Sequence, residues 1–179
     1  MEHYFRNPGR PTRRTLLRAG AFGLIGVAVR PAAARDPFAE AAALYGRKDY
    51  VAAAQIIVPL AASGDARAQG LLGLMYEYGQ GVPQDFALAV EWYSCAANQG
   101  DATAQYLLGL MYDLGRGVRV DVVQAQKWLI LAASRAGKRE RDAYARVRDA
   151  MASKMSRAQI GEAQTLARDF VPVGLLPPR

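Results

Sequence analysis

GDARAQGLLGLMYEYGQGVPQD, Gly64 to Asp85, returns as GDATAQYLLGLMYDLGRGVRVD, Gly100 to Asp121, so that Asp65 becomes Asp101 and every later position shifts by the same 36 residues. At that offset Gly64/Gly100, Ala68/Ala104, Gln69/Gln105, Leu72/Leu108, Gly73/Gly109, Met75/Met111 and Tyr76/Tyr112 are identical. The identities run on through Gly79/Gly115, Gly81/Gly117, Val82/Val118, Asp85/Asp121, Ala89/Ala125 and Trp92/Trp128 to the pairs Ala96-Ala97 and Ala132-Ala133. Repetition with a period of about 20 to 50 residues marks a solenoid, in which each unit buries its apolar face only against its neighbours.

Inside the unit, Leu71, Leu72, Met75 and Tyr76 recur at three- and four-residue spacing, which predicts a helix from about Asp65 to Tyr78. Asp65 stands at the N-cap, where a carboxylate accepts from orphan N–H groups of the first turn, and Gly79 follows the last periodic residue as a stop. Glycine inside a helix costs about 1 kcal/mol against alanine. Gly73 and Gly109 therefore predict the close approach of a partner helix that a Cβ would block. A second helix is predicted from Asp85 to about Asn98, with Trp92 and Trp128 as large plugs among the small residues Ala89, Ala96 and Ala97. The loops GQGV and GRGV follow no strand and lack a Gly-Lys-Ser/Thr ending, so they read as helix–helix turns needing positive φ rather than phosphate cradles.

The pattern Ala-Gln-x-x-Leu-Gly-x-Met-Tyr, then Gly-x-Gly-Val-x-x-Asp, then Ala-x-x-Trp-x-x-x-Ala-Ala resembles the Sel1-like repeat, a relative of the tetratricopeptide repeat. Two copies cover residues 64–99 and 100–135. The resemblance implies an all-α fold, a short right-handed solenoid of antiparallel helix pairs whose concave surface serves as an adaptor for other proteins. It names no substrate and implies no cofactor.

Upstream, Pro37 to Tyr45 and Asp49 to Ala62 read as a degenerate helix pair capping the stack over residues 35–63, without a Leu-Gly-x-Met-Tyr stretch. Its second helix carries the apolar spacing Val51, Ile56, Leu60, and Pro59 is expected to bend or interrupt it. Residues 1–34 combine Arg6, Arg10, Arg13, Arg14 and Arg18, the apolar run Ala19 to Val29 and the small residues Ala32-Ala33-Ala34. That is the layout of a signal peptide cut after Ala34, and the apolar run is too short for a spanning helix, which needs about 20 residues. Thr12-Arg13-Arg14-Thr15-Leu16-Leu17-Arg18 resembles the twin-arginine export motif. An uncleaved membrane tether and a basic tail are the alternatives.

Export changes the charge balance. Of the 23 basic and 16 acidic residues behind the net charge of +7, six arginines and Glu2 lie before Arg35, leaving 17 bases, 15 acids and a net +2. Nucleic acid loses its main support as a partner. Downstream, residues 136–169 read as two C-terminal capping helices, the first with Tyr144, Val147 and Met151 on its apolar side, the second opened by Ser156 with Gln159 in the capping-box position. Their basic residues read as a solvated surface. Residues 170–179, with Pro172, Pro177 and Pro178, are expected to extend along the last helix.

The only histidine is His3 and the only cysteine Cys95. After export the chain has no histidine, which removes Ser-His-Asp and Cys-His catalysis and the usual zinc sites. Cysteine-rich Sel1-like proteins resemble β-lactamases, but their paired cysteines are missing here. Asp65, Asp85, Asp101 and Asp121 fall at cap positions and read as structural, and Cys95 as a small buried hydrophobe.

Identical positions are accounted for by packing, so recognition is sought where the first helices differ along one side. Arg67, Gly70, Leu71, Leu74, Glu77 and Tyr78, with Thr103, Tyr106, Leu107, Leu110, Asp113 and Leu114 of the second copy, form the candidate groove by analogy with tetratricopeptide first helices. The reading is a monomeric, non-catalytic adaptor with no cofactor or metal, holding a protein or peptide partner, located in the periplasm and without stable membrane insertion once the signal is removed. The alternatives are a regulatory protein on the same scaffold in the cytoplasm or tethered to the inner membrane and, less favoured, a hydrolase of cell-wall material or β-lactams.

Overall fold

Asp49, Asp85 and Asp121 stand one period apart, and in the computed structural model, which describes residues 36–172, each caps a helix. The capped helices are the second members of three successive pairs: α2 Tyr50–Ala62, α4 Phe86–Asn98 and α6 Val122–Arg135. Their first members are α1 Pro37–Gly46, α3 Ala66–Tyr78 and α5 Ala102–Leu114, capped by Asp36, Asp65 and Asp101. Two further helices, α7 Arg141–Ala152 and α8 Arg157–Arg168, close the series. Each helix from α1 to α6 packs on the next, and α8 returns onto α6. No strand occurs among the described residues, so the fold is the all-α repeat solenoid that the periodicity requires. None of these helices is long and apolar enough to cross a membrane. The signal-peptide reading of residues 1–34 lies outside the described residues, as does the chain after Pro172.

The caps are made as expected: one oxygen of Asp65 accepts from the N–H groups of Arg67 and Ala68, and one of Asp85 from those of Ala87 and Leu88. Such a cap is worth about 1 kcal/mol, and six of them in series fix where each helix starts. Gly73 and Gly109 do what their cost in helix propensity suggested. A Cβ on Gly73 would stand 2.6 Å from Cδ1 of Tyr93, and one on Gly109 would stand 3.0 Å from Cγ of Leu129, the residue equivalent to Tyr93. Gly81 and Gly117, with φ of 76° and 69°, serve the next level of order. A side chain on Gly81 would collide with the carbonyl of Tyr50, and one on Gly117 with that of Phe86. Each loop therefore seats on the first turn of the second helix one unit back. Buried Gln69 and Gln105 add a second tie, donating from Nε2 to the Ala61 and Ala97 carbonyls at the ends of the preceding helices.

Three expectations are corrected. The buried face of α2 is Ala53, Ala54, Ile57 and Ala61, not the stripe through Val51, and Val51 is 64% exposed. Ala53, Ile57 and Ala61 lie one period before Ala89, Tyr93 and Ala97, so the repeat already governs α2, although α1 is short and its turn has Lys48 at φ 66° in place of a glycine. Pro59 does not interrupt α2, which runs to Ala62 with the Ser63 N–H bonded to the Pro59 carbonyl. Proline removes one N–H, and so near the C-terminus the loss costs a single bond in the last turn. As far as Pro172, where the described residues end, the chain after α8 does not follow that helix. The ring of Phe170 meets Trp128 of α6 edge-on at 5.5 Å, and Pro172 lies beside Gly100.

A candidate docking cleft

Between the first helices lies a cleft of about 250 Å³, lined by Phe38 of α1, by Arg67, Gly70, Leu71 and Leu74 of α3, and by Asp101, Thr103 and Leu107 at the start of α5. Residues 67, 70, 71 and 74 share one side of α3 by their three- and four-residue spacing. Gly70 makes the space: a Cβ there would meet nothing nearer than 3.9 Å. Its equivalent in the next unit is Tyr106, whose ring stacks on Tyr144 of α7 at 4.3 Å and an interplanar angle of 9°, so the corresponding position on α5 is filled and covered.

Electrostatics divides the cleft. Arg67 bridges Asp36 at 2.8 Å and Asp65 at 3.0 Å and lies over the Phe38 ring, 4.6 Å from its centroid. The guanidinium holds the Asp36 carboxyl below the ordinary carboxylate range. Burial raises Asp65, but its bonds from Arg67 and the first-turn N–H groups outweigh that and leave it lowered as well. At Asp101 the balance reverses: burial raises the carboxyl, and the N–H groups of Ala104 and Thr103 only partly offset it. The position equivalent to Arg67 is Thr103, and no cation stands within ion-pairing distance of Asp101 among the described residues.

Of the residues expected in the groove, Arg67, Leu71, Leu74 and Thr103 are brought together here, with Gly70 and Leu107. Tyr78 and Leu114, 58% and 55% exposed at the ends of α3 and α5, lie outside the lining, as do half-buried Leu110 and Asp113. Glu77 is corrected: it is only 7% exposed, its Oε2 accepts from the Tyr93 hydroxyl at 2.8 Å, and Arg116 approaches Oε1 at 3.8 Å. Helical spacing had put it on the open side, but the Tyr93 ring that Gly73 admits turns it into an internal partner. Tyr106 is likewise closed off by α7. Sequence reasoning missed Phe38, which sits in the unit without the repeat signature. It also stopped at the capping role of Asp101, although the change from Arg67 to Thr103 was the available signal.

Among the described residues no group of three or more histidine, cysteine, aspartate or glutamate side chains is placed to hold a metal ion. Cys95 is buried, and burial followed by the charge of Glu91 pushes its thiol up, away from nucleophilic character. The cleft offers a leucine-rich wall, one engaged guanidinium and one carboxylate: a surface for contact rather than a nucleophile beside a base.

Residues 66–101 and 102–136 each match the family model of the Sel1 repeat. A protective antigen present in uropathogenic Escherichia coli strains and displaying an SLR fold has a similar structure, with a TM-score of 0.67 and 30% identity over 76% of this chain and 30% of that one. A Sel1 repeat protein from Oxalobacter formigenes is 37% identical over 55% of this chain and 39% of its own, with a TM-score of 0.53. The chain thus spans well under half of the length of these solved proteins. No curated protein matches it.

Proposed function

We propose that this chain is a monomeric, non-catalytic scaffold that holds a segment of another protein in the cleft between α1, α3 and α5. Sel1 repeats in general build helical scaffolds for protein interaction, and two of them form the middle of this chain. The observation that carries the reading is the cleft over Gly70, an apolar depression on the side of the first helices where the repeats differ and where the packing residues leave room. A glycine inside a helix costs about 1 kcal/mol in propensity. Gly73 recovers that cost through Tyr93, whereas a Cβ on Gly70 would meet Ala104, Asp101 and Ala96 only at 3.9 to 4.0 Å, so the glycine is not required by packing and lines the cleft.

Gly70→Leu is the test, because Gly70 lines the cleft and a Cβ there meets Ala104, Asp101 and Ala96 no closer than 3.9 Å. Photo-crosslinking from the exposed Tyr78 edge, followed by recovery of the crosslinked partner, should succeed with the wild type and fail with Gly70→Leu at an unchanged melting temperature. A folded Gly70→Leu protein that still captures the partner sinks the proposal. The arginine-rich leader supports a periplasmic site of action, checked by sequencing the amino terminus of the recovered chain. A start near Arg35 agrees with export, and a retained Arg13-Arg14 contradicts it.

A further inference from the structure

One carboxylate, that of Asp101, and one guanidinium, that of Arg67, line the cleft, with Asp36 and Asp65 standing behind Arg67 as its ion-pair partners. That guanidinium is already committed, bonded to both Asp36 and Asp65 and laid over Phe38. Asp101 makes no ion pair with it, and its Oδ1 lies 3.9 Å from where a Cβ on Gly70 would be. The walls that continue from it, Leu71, Leu74 and Leu107, are apolar. A charge that is partly withdrawn from water beside apolar walls is screened less than one on an open surface, so an incoming cation gains more there and an incoming anion loses more. The first repeat supplies its own cation for the equivalent aspartate, since Arg67 pairs with Asp65. The second repeat has Thr103 in that place, and the negative charge is left facing the cleft.

We infer that the segment held in this cleft presents a lysine or arginine to Asp101, flanked by apolar side chains that lie against Leu71, Leu74 and Leu107. The inference rests on the docking reading above and adds the chemistry of the occupant to it. An acidic segment is disfavoured twice: it meets the uncompensated Asp101, and it reaches Arg67 only by displacing two carboxylates already bonded there. A wholly apolar segment would fill the cleft but leave the Asp101 charge under it with its first-turn N–H bonds and no counter-charge, a costlier arrangement than the solvated one.

The probes are three N-acetylated, fluorescently labelled peptides, Gly-Ser-Leu-Leu-Lys-Leu-Ser-Gly and the same peptide with Gln or Glu in place of Lys, titrated against the full chain by anisotropy. The lysine peptide should bind roughly fivefold tighter than the glutamine peptide, the scale of a partly exposed charge pair, with the glutamate peptide weakest. Asp101→Asn keeps an N-cap side chain and should reduce the lysine peptide to the affinity of the glutamine one. Gly70→Leu should abolish all three. Equal binding of the three peptides, or a lysine preference that survives Asp101→Asn, overturns the inference, and so does the absence of saturable binding by any of them. If the peptides bind equally and Gly70→Leu still abolishes binding, only the cation preference falls. If binding persists in folded Gly70→Leu, the docking site itself is misplaced.

Discussion

At position 70 of the first repeat stands a glycine that lines the cleft, and at the equivalent position 106 of the second stands a tyrosine stacked on Tyr144 of α7. Between these two stretches the packing residues are the same, Leu72 with Leu108, Met75 with Met111, Trp92 with Trp128, and all of them are buried. The differences cluster where a unit meets something other than its own kind. Arg67 ties α3 to Asp36 of the capping pair, while Thr103 stands within reach of Tyr144 in α7. Tyr93 and Glu77 make a buried polar contact for which the second repeat has Leu129 and Asp113. Gln99 donates to Gln69 at 2.7 Å, but its equivalent, Arg135, lies over Phe170 at 5.0 Å and leaves Oε1 of Gln105 without a hydrogen-bond partner. Identity in such a molecule reports the repeat's own packing, and difference reports position along the stack.

The shared part breaks hardest. Trp92→Ala should lower stability by about 3 to 5 kcal/mol, the usual cost of emptying a large aromatic site, and Trp128→Ala by a similar amount. Only the second should also release Phe170, seen as protease cleavage near the chain end before global unfolding. A melting temperature unchanged by Trp92→Ala contradicts its role as a core plug. Next comes Gly73→Ala, where the new methyl meets the flat face of a fully buried ring: a loss of about 1 to 3 kcal/mol is expected. Gly109→Ala should cost less, because a leucine shifts its branch more easily than a tyrosine tethered through its hydroxyl to Glu77. Equal losses in chemical denaturation would show that the ring is not what restricts Gly73.

Tyr93→Phe isolates the polar contact. It leaves the Glu77 carboxylate buried with only the distant Arg116 for company and should cost about 1 to 2 kcal/mol by chemical denaturation. A neutral result would mean that water already satisfies Glu77. The smallest effect concerns two aspartates at equivalent caps. Asp65 has a lowered carboxyl in the fold, so it contributes stability above its unfolded value and loses it as pH falls through the lowered one. Asp101 has a raised carboxyl, so its contribution is greatest below its unfolded value and is lost as pH rises through the raised one. Carboxyl NMR titration should find the two on opposite sides of the ordinary value. Near neutral pH, Asp65→Asn should destabilise by less than about 1 kcal/mol, because solvent screens the pair, whereas Asp101→Asn should be neutral or slightly stabilising. Both aspartates shifting in the same direction would erase the distinction.

The first helices of the two repeats were legible nearly to the residue, because the sequence states each boundary twice, with an aspartate to begin and a glycine to end. Of the cleft, the α3 side, Thr103 and Leu107 were legible from helical spacing together with the likeness to tetratricopeptide first helices. What spacing does not carry is the identity of whatever covers a given side. Tyr106 is closed off by a helix from outside the repeat, and Glu77 is claimed by a tyrosine on the next helix. The pairing of Arg67 with Asp36 joins residues from different units. Phe38 belongs to a unit whose signature is absent, and Phe170 reaches Trp128 from a segment with no periodicity. Each of these contacts depends on long-range placement that a local pattern does not encode.

Gly81 and Gly117 rest on the helix starts at Tyr50 and Phe86, so each of these two loops is fitted to the unit before it in the same way. A chain built on such joints has no preferred count. An in-frame duplication of residues 66–101 would meet, at each new junction, a surface already shaped to receive it. Length can then change by whole copies, as links are added to a chain, while the joint stays constant and each added link brings a fresh stretch of outward-facing side chains for selection to act upon.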